Sequence, residues 1–355
     1  MNSADILIIR TSAMGDVVMA SHLVEGLRRR YPDARITWLA EPQVAPLLEN
    51  HPALDSVLVW PKMRWKELLR TLCIRVLYKE VSSFVRALRG QKFTMAIDAR
   101  GLLRTRLLDW LSGARQRVGF DSREPGRFLM THIVAKGGNK EQMGSEYFYL
   151  LGQLGVETGG LCQSISLAPA SLAEASDLLA SAGVKGIYAV FAPFTTRPQK
   201  HWVREQWIQL GREVTRNLSL PVVWLGGADD REAAQSLAAE GGGVSLAGKT
   251  SLAVSAAVVS KAALMVGVDT GLTHLGTAFR IPTVALFGST CPYTRSCSPK
   301  TVVLYHPLSC SPCRRTPVCN GSYDCMQGIT ACEVMQVIRQ YQLQGAKPTH
   351  ENSAS

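Results

Sequence analysis

The chain has 355 residues with a net charge of +11, and 46% of its residues are hydrophobic. That length suits two domains of ordinary size with a core in each. No apolar run reaches the roughly 18–20 residues that a membrane-spanning helix needs, and the first residues do not form the basic and apolar leader of a signal peptide. We therefore expect a cytoplasmic protein.

Short apolar runs alternate with helical patterns through the first half of the chain. The predicted strands are Ile6–Arg10, Arg35–Ala40, Ser56–Trp60 and Phe93–Ile97, and the predicted helices are 16–30 and Lys79–Gly90. Such β-α alternation is typical of a parallel sheet covered by helices.

Residues 155–170 contain Gly, Ser and Pro without clear periodicity, and we place a domain linker there. The alternation then resumes, with predicted strands at Ile187–Phe191, Val222–Leu225, Leu264–Val268 and Thr283–Phe287 and a last helix at Glu333–Tyr341. We predict an α/β protein with two doubly wound, Rossmann-like domains, 1–160 and 171–330, followed by a segment, 331–355, made of that helix and a disordered tail. Two such domains usually face each other across a cleft, and ligands gather at the carboxyl edges of their strands.

Positive charge is concentrated between Lys62 and Arg106, where twelve Lys and Arg residues are offset by only three acidic residues, a local charge of +9. A basic patch of this size favours a nucleic acid, an anionic membrane surface or a phosphorylated substrate, although a merely solvated face would look the same. RNA is the weakest of these partners because no aromatic-rich RNA motif accompanies the charge.

Three motifs follow predicted strands and carry polar side chains suited to chemistry. The first, Arg10-Thr-Ser-Ala-Met-Gly-Asp16, follows the first strand. Gly15 would let the backbone turn tightly and approach a ligand, and Asp16 would sit where a strand ends and a helix begins. An aspartate at such a place commonly caps the helix, so position alone does not give Asp16 a catalytic role.

The second motif follows the first strand of the second domain and extends to Trp202. Thr195 and Thr196 offer hydroxyl groups, and Lys200 offers a point charge suited to phosphate. We expect Trp202 to pack in the core, and His201 suits a structural role as well as a ligand contact.

The third motif, Val268-Asp-Thr-Gly-Leu-Thr-His274, lies between a buried strand and a helix. Free N–H groups at the start of that helix suit a diphosphate. Asp269 could accept hydrogen bonds from sugar hydroxyls and His274 could touch phosphate, although a capped turn would use the same residues. After another strand, Asp229 or Asp230 could hold ribose hydroxyls or cap the next helix.

Several other nucleotide and metal signatures are missing. The sequence has no G-x-G-x-x-G, which argues against dinucleotide enzymes. It also has no Asp-x-Asp triplet, the usual carboxylate clamp for a metal–diphosphate complex. Five late cysteines suggest zinc rather than disulfides, with His306 as a further ligand, but their spacing fits no zinc signature well: Cys310, Cys313, Cys319, Cys325 and Cys332.

Five segments, taken in order along the chain, resemble the bacterial lipopolysaccharide heptosyltransferases, and most closely heptosyltransferase I: 11–16, Ile97-Asp-Ala-Arg-Gly-Leu102, Arg123-Glu-Pro125, 195–202 and 269–274. The resemblance implies the GT-B architecture, with an acceptor-binding first domain and a nucleotide-sugar-binding second domain. It implies an inverting, metal-independent transfer of heptose from ADP-heptose to the Kdo of lipid A at the cytoplasmic face of the inner membrane. It further implies no cofactor, no nucleic-acid partner and a peripheral contact with an anionic membrane.

The same resemblance implies roles for individual residues. Asp16 matches the general base that deprotonates the acceptor hydroxyl, and Lys200 matches the lysine that holds the donor diphosphate. Arg64 and Arg123 fall where the family uses basic residues to engage the phosphorylated acceptor. The remaining matches are donor contacts: Thr195, Thr196, Asp230, Asp269, Thr270, Gly271 and His274.

Three alternatives stay open. The cysteine cluster departs from heptosyltransferase I and looks more like heptosyltransferase II, which leaves room for another glycan acceptor. A catalytically silent nucleotide-sugar-binding protein would be expected to lack Asp16 or Lys200, and both are present. A zinc-dependent regulatory protein built around the cysteines is the third alternative, and a metal assay separates it from the others.

Overall fold

The computed structural model of the chain describes residues 4–290 and 293–345. The chain divides into two compact domains, one ending at Pro169 and the other beginning at Ala170. The linker that we placed at 155–170 ends at this division. The disordered tail that we predicted after Gln344 lies, beyond residue 345, outside the described residues.

The first domain is a sheet with helices on its faces. Its strands are β1 (Asp5–Ile9), β2 (Arg35–Ala40), β3 (Ser56–Val59), β4 (Met95–Asp98), β5 (Gln116–Phe120) and β6 (His132–Val134). Its helices are α1 (Met14–Ala20), α2 (His22–Arg30), α3 (Lys62–Arg70), α4 (Ile74–Gly90), α5 (Leu103–Leu111) and α6 (Ser145–Gln153).

The second domain repeats this plan. Its strands are β7 (Ala189–Ala192), β8 (Val222–Trp224), β9 (Val244–Ser245), β10 (Leu264–Val268), β11 (Thr283–Phe287) and β12 (Thr301–Tyr305). Its helices are α7 (Pro169–Ser181), α8 (Arg204–Leu218), α9 (Arg231–Gly241), α10 (Leu252–Ser260), α11 (Gly271–Ala278), α12 (Asp324–Gln327) and α13 (Ala331–Gly345).

The two sheets have the same strand order. The first runs β3-β2-β1-β4-β5-β6 and the second, read from its other edge, runs β9-β8-β7-β10-β11-β12. The pairs on either side of β1 and β7 are parallel. In each sheet the order reverses once, between β1 and β4 and between β7 and β10. Ligands of doubly wound sheets bind outside the carboxyl ends of the strands at this reversal.

The cores explain why the strands could be read from the sequence. Ile6, Leu7, Ile8 and Ile9 of β1 are all fully buried, because helices cover both faces of a parallel sheet. In the second domain, an aromatic cluster fills the space between β7, β8 and α8, and its members are Phe191, Trp202, Trp207 and Trp224. The expected packing role of Trp202 is confirmed, since only 4% of it is exposed.

Two elements differ from the prediction. The helix expected over 16–30 is two helices that meet at Ser21, whose hydroxyl donates to the Val18 carbonyl and accepts from the Ser164 N–H. The last helix, which we assigned to a separate segment, packs Val334 and Ile338 into the core of the second domain. Helix α13 therefore belongs to that domain.

The helices of the described residues, 4–290 and 293–345, include none that is long and apolar enough to cross a membrane.

One buried histidine makes the stability of the first domain depend on pH. His22 is fully buried and stacks on Phe148 with 3.7 Å between the ring centroids. Burial lowers the pKa of His22 to about 3, against a smaller opposing effect of the Met19 backbone. As the pH falls, the unfolded chain protonates His22 before the folded chain does. The stability that comes from burying neutral His22 is therefore complete above the unfolded pKa of about 6.5 and is lost as the pH falls towards 3.

We predict that His22→Leu removes this dependence. Between about pH 6.5 and pH 5, the free energy of unfolding of the wild-type first domain should fall by about 2 kcal/mol more than that of the variant. Urea denaturation across this range measures the difference. His132→Leu, at an exposed histidine, should follow the wild type, and parallel profiles for His22→Leu and wild type would contradict the prediction.

Candidate functional site

The first motif lies at the reversal point of the first sheet, directly after β1. Asp16 is the third residue of α1, which makes it part of the first turn and not the residue before the helix. The expected tight turn at Gly15 is wrong, because Gly15 lies inside α1 and its φ is not positive. The side chain of Asp16 is 38% exposed, so a ligand can reach it.

A buried arginine, Arg10, to which we gave no role from the sequence, fixes the orientation of Asp16. The Nη2 atom of Arg10 lies 2.6 Å from Asp16 Oδ2, and the Ala13 N–H donates to the same oxygen at 3.4 Å. Burial would lower the pKa of Arg10, but surrounding groups that include the Asp16 carboxylate raise it. The other oxygen, Asp16 Oδ1, has no hydrogen-bond partner among the residues that the structure describes, and it can accept a proton.

A second carboxylate, Glu41 at the end of β2, holds the loop that precedes Asp16. It accepts hydrogen bonds from Thr11 at 3.2 Å, from Ser12 at 2.8 Å and from Lys62 at 3.1 Å. Burial would raise the pKa of Glu41, but these bonds and the Lys62 charge lower it. The loop is therefore tied both to the sheet and to the start of α3.

The end of β4 supplies a third support. Asp98 is fully buried and accepts from the N–H groups of Arg100 and Gly101 and from the Thr105 hydroxyl, which organises the turn into α5. Arg100 then donates to the Ser12 carbonyl at 2.6 Å. The segment around Asp98, which we noticed only through the family resemblance, is structural and places a cation beside the first motif.

The two arginines assigned to acceptor binding lie on other elements of the first domain. Arg64 is exposed on α3 and pairs with Glu80 of α4 at 3.5 Å and with Glu67 at 3.7 Å. Arg123 is exposed in the connection between β5 and β6. No hydrogen bond or ion pair joins either arginine to Asp16 within the described part of the chain.

Not all of the basic patch between Lys62 and Arg106 lies on the surface. Arg106 is fully buried. Its guanidinium donates to the carbonyls of Phe120, Glu124 and Pro125 and to the Ser122 hydroxyl, at 2.7–3.2 Å. This arginine thus fixes the path of the segment that carries Arg123.

In the second domain, the structure brings three of the predicted residues together. Lys200 Nζ donates to Asp269 Oδ2 at 2.5 Å, and His274 Nε2 lies 3.4 Å from Asp269 Oδ1. Thr290, which sequence reasoning missed, donates its hydroxyl to Asp269 Oδ2 at 2.7 Å. Lys200 follows β7, Asp269 follows β10 and Thr290 follows β11, so the cluster lies at the reversal point of the second sheet.

Asp269 holds this cluster together. Its burial would raise its pKa, but the hydrogen bond and charge of His274, together with those of Lys200, hold the pKa well below its usual range. Both carboxylate oxygens are engaged by protein groups. The contacts therefore favour a positioning role for Asp269 over the direct sugar contact that we expected.

The start of α11 offers an anion site beside the cluster. Thr270 precedes the helix, and its carbonyl accepts from the His274 N–H at 3.3 Å. The N–H groups of Gly271 and the two residues after it have no partner within the helix, as at the start of any helix. Such groups and the helix dipole favour a phosphate.

Three other predicted residues have local contacts. Thr196 is exposed, while the carbonyl of Thr195 accepts from the His201 ring at 2.9 Å, a structural role for that histidine. Asp230 accepts from the Gly227 N–H at 2.8 Å and precedes α9. The Asp230 side chain makes no capping bond to α9, so this contact within the preceding turn is not the helix-capping alternative that the sequence left open.

The late cysteines have no disulfide partner: Cys310, Cys313, Cys319, Cys325 and Cys332. His306 does not join them but bonds to the Glu333 carboxylate at 2.9 Å. Over residues 4–290 and 293–345, no group of three or more His, Cys, Asp or Glu side chains is placed to hold a metal ion.

Comparisons with known proteins identify the family to which the chain belongs. The model of glycosyltransferase family 9 (heptosyltransferase) matches residues 81–323. Lipopolysaccharide heptosyltransferase 1 of Pseudomonas aeruginosa is 31% identical over 321 residues, which are 87% of this chain and 85% of that protein. The chain belongs to glycosyltransferase family 9. It is therefore an enzyme that transfers a sugar.

Solved structures show that this family 9 enzyme has the fold predicted from its sequence. A family 9 glycosyl transferase from Veillonella parvula matches 96% of this chain and 97% of its own, with a TM-score of 0.78 and 21% identity. E. coli heptosyltransferase WaaC with ADP-2-deoxy-2-fluoro heptose matches 95% of this chain and 99% of its own, with a TM-score of 0.71 and 26% identity. The predicted α/β, GT-B fold class is confirmed.

We predict that the Thr290 hydroxyl stabilises the second domain of the family 9 enzyme. Thr290→Val removes a hydrogen bond to a charged group and should lower the free energy of unfolding by about 1.5–3 kcal/mol. Thr290→Ser keeps the hydroxyl and should lose much less. Urea denaturation of both variants measures this, and equal stability of the Val and Ser variants would count against the contact.

Proposed function

We propose that this enzyme transfers L-glycero-D-manno-heptose from ADP-heptose to the Kdo of lipid A during synthesis of the lipopolysaccharide inner core, with inversion and without a metal ion. Family membership and the identity to lipopolysaccharide heptosyltransferase 1 support heptose transfer in lipopolysaccharide synthesis. One observation carries the proposed mechanism: each domain supplies one half of a site. In the first domain, Asp16 has one carboxylate oxygen held by Arg10 and the other open; in the second domain, Lys200 lies beside the start of a helix.

In the first domain, Asp16 would act as the general base. Arg10 and the Ala13 N–H occupy Oδ2 and leave Oδ1 to accept the proton of the acceptor hydroxyl. The fixed orientation matters because a general base must lie within hydrogen-bond reach of the proton that it takes. The acceptor oxygen would then attack the anomeric carbon in a single displacement, which inverts its configuration.

In the second domain, Lys200 and the start of α11 would hold the departing diphosphate. Negative charge grows on the diphosphate oxygens as the glycosidic bond to the nucleotide breaks. Lys200 is placed by its ion pair with Asp269, and the N–H groups near Gly271 are placed by the helix, so neither has to reorganise during the reaction. Groups arranged in this way stabilise the transition state more than the ground state.

The lack of an Asp-x-Asp clamp supports transfer without a metal ion, since these cationic and amide groups would take over the neutralising role. Arg64 and Arg123 are exposed and suit the phosphorylated, acidic acceptor. An acceptor that is anchored in lipid also requires the enzyme to work beside an anionic membrane, and the exposed part of the basic patch between Lys62 and Arg106 suits such a surface.

A transfer assay tests the proposal. Purified enzyme with ADP-heptose should convert Kdo-lipid A and should use already heptosylated Kdo-lipid A poorly, with the same rate when EDTA is present. A preference for the heptosylated acceptor would support the heptosyltransferase II alternative. A rate that falls with EDTA and returns with a metal ion would refute metal independence.

Substitutions at the two half-sites should impair different steps. Asp16→Ala should lower kcat by about 10²–10⁴-fold, the usual contribution of a general base, and leave the affinity for ADP-heptose unchanged. Lys200→Ala should mainly impair donor binding and use. Initial rates and calorimetric titration with ADP-heptose separate the two effects.

Two matched variants serve as controls. Asp5→Asn changes a carboxylate at the opposite end of β1, where it pairs with Arg35. Lys261→Ala changes an exposed lysine of the second domain. Both should keep wild-type kinetics, and near-normal turnover in Asp16→Ala would remove the proposed base.

A further inference from the structure

The two helices α3 and α4 form a hairpin whose turn displays apolar side chains to solvent. We define the hairpin tip as residues 63–79. The exposed fractions are 53% for Met63, 57% for Leu69, 78% for Leu72, 51% for Ile74 and 74% for Tyr78. Exposed apolar groups that are close together in this way usually mark an interaction surface.

The opposite side of the hairpin packs on the domain core, and the exposed residues take no part in that packing. Leu68 and Leu88 are buried, and Trp65 and Phe84 pack edge to face at 5.2 Å between ring centroids. Leu88 belongs to the core cluster that includes Leu7 and Ile9 of β1, and Trp65 and Phe84 pack against that cluster. The exposed residues of the tip are therefore not needed to attach the hairpin to the sheet.

Leu72 is an unusual residue for its position. The Cys73 N–H donates to the Leu68 carbonyl and the Leu72 N–H to the Leu69 carbonyl, which is the hydrogen-bond pattern of a Schellman motif. The residue at the turn of this motif is left-handed, and Leu72 has a φ of +55°. Glycine or asparagine normally occupies this place, because a side chain such as leucine is strained there. Leu72 is thus disfavoured both by its backbone conformation and by its exposure to water.

Charge identifies the partner. The tip carries five exposed basic residues against one acidic residue, Glu67: Arg64, Lys66, Arg70, Arg75 and Lys79. Apolar side chains flanked by lysine and arginine match a membrane interface, where the apolar groups enter the acyl region and the cations meet anionic headgroups.

We propose that the hairpin tip is a docking surface for an anionic phospholipid bilayer, with Leu72 at its point of insertion. The inference rests on the proposed function in one respect: that function explains why docking would be useful, since it brings the enzyme to a lipid-linked acceptor. Binding to the bilayer is measured without donor or acceptor, so it can succeed or fail independently of heptose transfer.

The experiment is co-sedimentation of the full chain with vesicles of phosphatidylcholine alone or with about one third phosphatidylglycerol added. Wild-type protein should bind the anionic vesicles more tightly and lose binding as salt is raised. The double variant Arg70→Gln/Leu72→Asn should bind at least about tenfold more weakly, since it loses one cation and one inserting side chain. Asparagine tolerates the left-handed conformation, so the thermal unfolding midpoint of the double variant should not be lower than that of the wild type.

The chain offers a closely matched control. Lys185 and Ile187, also two residues apart, are an exposed cation and an aliphatic side chain that is 69% exposed in the second domain. Lys185→Gln/Ile187→Asn should bind vesicles within about twofold of wild type, because the sequence has no other lysine or arginine within ten residues of Lys185.

The activity of the hairpin variant adds a second readout. Arg70→Gln/Leu72→Asn should transfer heptose to a water-soluble, deacylated acceptor at the wild-type rate and to the vesicle-bound acceptor more slowly. Equal vesicle binding by wild type and the hairpin variant would overturn the proposal. So would self-association of the wild type, measured by sedimentation velocity, that the hairpin substitutions abolish while vesicles bind neither protein.

Discussion

The placement of the chemistry in both domains depends on the single reversal of strand order in each parallel sheet. The chain builds one half of the sheet outward from its first strand, then returns to the other side of that strand. The loops after the first and fourth strands therefore leave neighbouring carboxyl ends in opposite directions. Arg100 crosses this gap to Ser12 in the first domain, and Lys200 crosses it to Asp269 in the second. The same topological feature thus brings a cation to an oxygen twice.

The carboxylates of Asp16 and Asp269 show how different hydrogen-bond partners give two residues of the same type different roles. Asp269 has a protein partner at each of its two oxygens, which hold its side chain in place. Asp16 has one oxygen held by Arg10 and the other open. A buried pair costs desolvation of both charges, which good geometry and added hydrogen bonds must offset. In the second domain, Thr290 supplies such a bond.

Much of the fold could be predicted because strands buried on both faces are continuous apolar runs. The strands β2, β10 and β11 have the predicted bounds. The division of the helix at Ser21 could not be foreseen, since its hydroxyl accepts from Ser164, a residue far along the chain. Similarly, the pattern of Glu333–Tyr341 shows a helix but not the core on which it packs.

The candidate site could be predicted only for residues that directly follow predicted strands. Lys200, Asp269 and His274 meet because they follow neighbouring strands. Thr290 also follows a strand of this edge, and the Gly-Ser-Thr sequence after β11 was the signal that could have found it. Arg10 was missed because it ends an apolar strand and gives no periodic signal. Its ion pair with Asp16 can be seen only in the structure.

Arg106 has a consequence for how this enzyme can change during evolution. Most of the bonds that its guanidinium makes to the connection after β5 end on main-chain carbonyls, which every residue type possesses. The path of that connection is therefore insensitive to which side chains it carries. A residue such as Arg123 can be exchanged while the backbone around it stays in place. The connection that carries Arg123, which we propose as an acceptor contact, can therefore exchange its side chains by single substitutions while these backbone bonds remain.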